Sequence, residues 1–133
     1  MLRPFQSRPL ATNGHKLRED GSRPRPVPTA ALKVEKWDER RDGSLSKASV
    51  AEKLRKQGYT TNFYTFNPGT VFPDHSHQCH KKDSIVSGRM LFRMKGEEIV
   101  LQPGDMLEVP KGATHYAAVV GADPVVFVDA SKK

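Results

Sequence analysis

The sequence predicts an all-β barrel preceded by one short helix and a disordered N-terminal tail. Three observations carry this reading. From Tyr59 onward, apolar and polar residues alternate with a period of two, the spacing that gives a strand one buried face. The runs are rich in β-branched and aromatic side chains, which suit a pleated surface. The corners between them hold glycine or proline, at Gly88, Lys95-Gly96, Pro103-Gly104-Asp105, Pro110-Lys-Gly112 and Gly121-Ala-Asp-Pro124. Many short strands at close, even spacing with such corners fold into a sandwich or barrel.

In chain order, residues 1–30 come first and read as a basic, Pro/Arg-rich tail. They hold five of the ten prolines, and their few large apolar residues follow neither helical nor strand spacing. The folded domain is expected over 31–133. Within it, Leu32-Lys-Val-Glu-Lys-Trp37 alternates as a short strand does, and Asp42-Gly43 marks a turn. Ser49 and Glu52 stand three apart, the capping-box spacing that satisfies orphan N–H groups at a helix start. Val50 and Leu54 then share one helical face, and Gly58 is a natural stop. The barrel is expected over 59–129. Its strands are placed at Tyr59–Phe66, Asp83–Val86, Arg89–Lys95, Glu98–Leu101, Met106–Val109, His115–Val120 and Val125–Asp129. Pro73–Lys82 reads as a loop of lid length. Val125-Val-Phe-Val128 is apolar on both faces, so both should be covered, either by the early strand near Trp37 or by pairing into a homodimer.

The net charge of +7 raises the question of nucleic acid. Six Lys/Arg against two acids fall in residues 1–30, leaving sixteen against thirteen for the domain, which is therefore only mildly basic. The tail lacks aromatic residues interleaved for base stacking, which argues against nucleic-acid binding. No stretch approaches the roughly 20 apolar residues of a membrane span. Cys79 is the only cysteine, so the chain forms no internal disulfide, and a reducing, cytoplasmic location is expected. The acid-free, basic first eighteen residues suggest an organelle transit peptide as the alternative, against which Pro4 and Pro9 interrupt any amphipathic helix.

Four of the five histidines fall between residues 75 and 115. His75 and His77 are two apart, so on a strand their rings share a face and can share an ion. Around them, five residues separate Gly69 from His75, and Gly88 closes the run. A second block reads Gly104-Asp-Met-Leu-Glu-Val-Pro110-Lys-Gly112-Ala-Thr-His115. The two blocks resemble the paired signature of the cupin superfamily, G-x5-H-x-H-x(3–4)-E-x6-G followed by G-x5-P-x-G-x2-H, over roughly residues 59–129. The resemblance implies a double-stranded β-helix, or jelly-roll barrel, with a divalent metal ion inside one open end. His75, His77 and His115 stand where the family's three histidine ligands stand, and the metal would be iron, zinc, nickel or manganese.

The chain departs from the pattern at one place. Counting on from His77 or back from Gly88, the position of the family's ligand glutamate holds Lys81. An ammonium beside a cation is repelled, so Lys81 must be neutral, turned away, or in a site without metal. Asp83 lies two further on, on the same strand face, where it could supply the missing carboxylate or pair with Lys81. Cys79 continues the 75, 77 alternation as a soft ligand or a small buried hydrophobe, and His80 has the opposite parity. Three functions follow. The first is a metal-dependent enzyme on a small polar metabolite, with family-implied oxygenation, isomerisation or lyase chemistry and Lys81 as a proton-transfer group. The second is a non-catalytic binding or sensing module, and the third a structural barrel without metal.

Overall fold

The computed structural model describes residues 32–133, so the tail expected over 1–30 lies outside the described residues. Among the described residues are nine strands: β1 Val34–Glu35, β2 Thr60–Phe66, β3 Val71–His75, β4 His80–Ser87, β5 Arg89–Met94, β6 Glu97–Leu101, β7 Met106–Val109, β8 His115–Val120 and β9 Val125–Lys132. They build a five-stranded sheet ordered β1-β7-β4-β9-β2 and a four-stranded sheet ordered β3-β8-β5-β6. Every paired neighbour runs antiparallel. The two sheets face each other as the walls of a double-stranded β-helix, the predicted fold. Between them lies a core of Ile85, Met90, Phe92, Leu101, Leu107, Val109, Val125 and Phe127.

Two glycines of the sequence motif have a steric reason. Gly88 and Gly104 both take positive φ, 84° and 92°, a region that L side chains rarely enter. A Cβ on Gly88 would sit 2.5 Å from the Pro124 carbonyl oxygen, and one on Gly104 would sit 2.5 Å from Trp37 Cβ. The corners thus admit glycine for both backbone angle and close approach.

Two helices precede the barrel, α1 Glu39–Asp42 and α2 Lys47–Lys56. The capping box is present one turn earlier than expected. Ser46 is the N-cap, its hydroxyl accepting from Ser49 N–H while Ser49 Oγ accepts from Ser46 N–H. A serine at the third helical position serves in place of the Glu52 that the spacing suggested. Val50 and Leu54, expected to share one helical face, are both fully buried and pack with Tyr59, Met106, Val128 and Ala130. Helix α2 therefore covers the outer face of the five-stranded sheet, so the second apolar face of β9 is covered within one chain. That face supplies no argument for a second copy.

Lys82, on the outward side of β4, donates to Glu35 Oε1 and Gln57 Oε1, both at 2.7 Å, and so bolts β1 and α2 to the sheet. Burial alone would raise the Glu35 carboxyl. Hydrogen bonds from Lys82, Gln57 and Lys53 outweigh it, and the group sits at about 2.

Two further expectations need correction. The loop expected over Pro73–Lys82 is shortened at both ends: Val71–His75 is a strand, paired with β8 through a register shift between Phe72 and His75, and His80–Lys82 belong to β4. Pro73 and Asp74 hid β3 in the sequence, and an irregular edge strand tolerates both. With β4 beginning at His80, the intervening loop is only 76–79. The early strand keeps just two residues, because the chain turns into α1 after Trp37.

Candidate metal centre

The four-stranded sheet brings the three histidines together at one end of the barrel. His75 ends β3, His115 opens β8, and the two are direct cross-strand partners. His77 sits in the short loop, which is tied to the turn before β8 by a Gly112 N–H donating to His77 O at 2.9 Å. Ring centroids lie 4.2 Å apart for 75 and 115, 4.9 Å for 75 and 77, and 5.1 Å for 77 and 115. One ligand nitrogen from each ring falls within 4.8 Å of the others.

Local backbone sets the rings' chemistry. His75 Nδ1 lies 2.7 Å from Pro73 O and His115 Nδ1 lies 3.0 Å from Ala113 O. A carbonyl oxygen can only accept, so each Nδ1 must carry the proton. Each Nε2 is thereby left with its lone pair free in the neutral ring. Burial lowers the pKa of His77, helped by the positive charge of Lys81. Burial also lowers that of His115, against the opposing pull of its bond to Ala113. Desolvation thus favours the neutral rings of His77 and His115, and carbonyls fix the tautomers of His75 and His115, features that suit a divalent cation.

The five-stranded sheet supplies the facing wall. Lys81 and Asp83 project from β4 on one face, and Asp129 projects from β9 directly opposite Asp83 in register. Lys81 Nζ donates to Asp129 Oδ1 in a salt bridge. Asp83 is 3% exposed, and its Oδ1 has no hydrogen-bond partner among the described residues. Burial, with the Asp129 charge adding to it and Lys81 opposing, pushes the Asp83 carboxyl up to about 8.

The two walls enclose a cavity of about 300 Å³ that contains the histidines, Lys81, Asp83 and Asp129. Its remaining lining is apolar and largely aromatic, chiefly Phe66, Phe72, Phe92 and Phe127, with Tyr64 at 47% exposure among the lining residues. The volume is at the small end for ligand sites, and an apolar pocket with a few converging polar groups is their usual form.

Of the residues singled out in the sequence, His75, His77 and His115 form the cluster of mutually close ligand atoms, and neither Asp83 nor Cys79 belongs to it. Lys81 and Asp83 share the cavity but not an ion pair. Cys79 is a half-buried free thiol in the loop. His80 lies outside the cavity lining, its ring 6.0 Å from Tyr59 and its Nε2 3.8 Å from Glu108. Asp129 and the aromatic lining were missed. The alternation Val125, Phe127, Asp129 carried the signal for the aspartate, since it places that side chain on the core face of β9.

A small two-sheet barrel with an internal histidine trio is the class of protein that fold and site define. The family model described as Cupin domain matches residues 62–131, more than half of the chain. This chain belongs to the cupin family. No curated protein matches it. A chain from the crystal structures of the DMSP lyases RdDddP and RnDddQII is 26% identical with a TM-score of 0.52, covering 58% of this chain and 40% of that one. A cupin protein from Bacteroides fragilis is 26% identical with a TM-score of 0.50, covering 57% and 66%. An RmlC-like cupin from Shewanella frigidimarina, at 22% identity and a TM-score of 0.50, covers 55% and 64% and bears on the fold alone. The match spans less than two thirds of each of these chains. Among the described residues, no helix is long and apolar enough to cross a membrane.

Proposed function

We propose that this chain is a metal-dependent cupin that binds and turns over a small polar metabolite. His75, His77 and His115 would hold one divalent ion, and the free Nε2 lone pairs of His75 and His115 are the observation that carries the reading. Such an ion would act as a Lewis acid toward a substrate oxygen. The chain's own groups do the rest. The aromatic walls exclude water and hold the apolar part of the substrate. Lys81 offers a positive charge, oriented by Asp129, at the position where the family carries a glutamate. That pairing would offset the repulsion between the ammonium and a bound cation. The likeness to a DMSP lyase chain supports a small-molecule substrate.

The test starts with metal content after purification, followed by titration of the stripped protein with Fe²⁺, Zn²⁺, Ni²⁺ and Mn²⁺. Tight uptake of one equivalent is expected, and His115→Ala should weaken it by about 100-fold or more through loss of a direct ligand. A wild-type protein that takes up none of the four ions would end the metal-dependent reading. Turnover is then sought by screening small metabolites with the loaded protein.

A further inference from the structure

We propose that Asp83 forms a second polar subsite in this cavity, apart from the histidine trio, and that it takes a neutral oxygen acceptor of the ligand: a ketone, ester or amide carbonyl. The inference deepens the ligand-binding reading above and rests on it, but it does not require the metal.

The first observation is geometric. Asp83 lines the cavity, and its Oδ1 is buried from solvent and lacks a partner among the described residues. A buried carboxyl oxygen without a partner is costly to a folded protein, so an unsatisfied carboxyl in a cavity wall marks a place for a ligand group. The second is the arrangement of charge. Asp83 and Asp129 stand directly opposite each other on adjacent strands, a pairing that is unfavourable when both are ionised. Among the described residues that line the cavity, Lys81 is the one Lys or Arg, and it is bonded to Asp129. On β7 the residue opposite Asp83 is Leu107, which brings no charge. Across the cavity stand His75, His77 and His115, and on Asp83's own sheet Tyr64 of β2 also lines the cavity; none of them bonds to Asp83 Oδ1.

The excess carboxyl is therefore the buried one, and it is held neutral up to about pH 8. A carboxylic acid kept neutral by an apolar site donates a hydrogen bond that a carboxylate cannot. Its complement is an oxygen with lone pairs and no negative charge, because an anion there would meet Asp129. The ligand that fits both subsites is small and apolar in its body, with a metal-seeking end at the histidines and a neutral carbonyl at Asp83.

Cyclopentanone is the probe, chosen because it carries one carbonyl on an apolar ring and has no group that needs the metal. It is titrated by NMR into wild type, Asp83→Asn and Asp83→Ala, each zinc-loaded and each metal-stripped. At about pH 6, wild type and Asp83→Asn should bind it about three- to tenfold more tightly than Asp83→Ala, the worth of one hydrogen bond. Binding should move the Asp83 carboxyl carbon resonance. At about pH 9.5 the wild-type advantage should vanish while that of Asp83→Asn, which keeps an N–H donor, persists. Equal affinity in all three proteins, or no binding of the ketone by wild type, overturns the proposal. So does a loss of zinc binding in Asp83→Ala, which would make Asp83 a metal ligand. The expected order in a protein that takes up no zinc would uphold the subsite and sink the metal reading alone.

Discussion

The two walls of the cavity are built differently. On the histidine wall the rings are oriented locally: His75 and His115 are each held by a carbonyl two residues back, at Pro73 and Ala113, and the β3–β8 register brings them together. The charged wall is assembled at long range, with Lys81 and its partner Asp129 separated by 48 positions in the chain. The outer face of its sheet is backed by α2 and by the Glu35–Lys82–Gln57 contacts. Both walls depend on strand register, but short motifs orient the histidine rings, whereas the charged wall relies on a cross-strand side-chain bond and helix docking. Substitutions in the charged wall should therefore move stability as well as ligand affinity.

Lys81→Glu presses hardest on this contrast. It exchanges the cation for a third carboxyl beside Asp83 and Asp129, while restoring an attractive charge toward a metal ion. Zinc affinity should rise about tenfold, as the Coulomb sign requires even at a protein-like dielectric. The metal-free protein should melt lower, because Asp129 loses its partner and like charges face each other. Calorimetric titration together with melting curves, with and without zinc, reads both effects. Unchanged affinity would mean that the charged wall does not sense the ion.

Asp83→Asn should stabilise the metal-free fold near pH 8 relative to wild type, since it removes an ionisable group whose folded pKa is raised. The direction follows from linkage. In the unfolded chain the carboxyl loses its proton near 3.8, whereas the folded one keeps it to about 8. Its contribution to stability is therefore complete below about pH 4 and is lost as pH rises toward 8. Urea unfolding at several pH values should show the wild type weakening over that window and the Asn variant following a flatter course. Parallel curves would show that Asp83 is ionised in the fold.

The smallest effect is expected behind the charged wall. Ser46→Ala removes the N-cap of α2, at a cost of about 1 kcal/mol in urea unfolding. The local histidine wall should not notice, so zinc affinity should stay within about twofold of wild type. A large loss of affinity would mean that the two walls are coupled through the sheet.

The same contrast explains what was legible in the sequence. Glycines at Gly88 and Gly104, proline at Pro110 and the spacing of His75, His77 and His115 are short-range signals, each imposed by a turn or a strand pair, and they led directly to fold and trio. The partner of Lys81 was not legible, because it depends on the β4–β9 register, which no local pattern encodes. Phe66, Phe72 and Phe127 read as ordinary strand aromatics until both sheets were in place. Strand β3 was missed for the opposite reason: local signals at Pro73 and Asp74 pointed to a loop, and pairing with β8 overrode them. The helix cap was one turn off because serine hydroxyls at 46 and 49 form the reciprocal bonds without a glutamate.

Trp37 packs against Gly104, donates its indole N–H to Gly43 O at 2.9 Å and lies under Lys53, whose Nζ is 5.0 Å from the ring centroid. It is the chain's single tryptophan, and it is absent from the cavity lining, where the fluorophore is Tyr64. Selectively excited indole emission therefore watches the seam between the segment before the barrel and the five-stranded sheet, leaving the histidine trio optically dark. An indole response to added metal would be a message carried through that sheet from its inner side to its outer one.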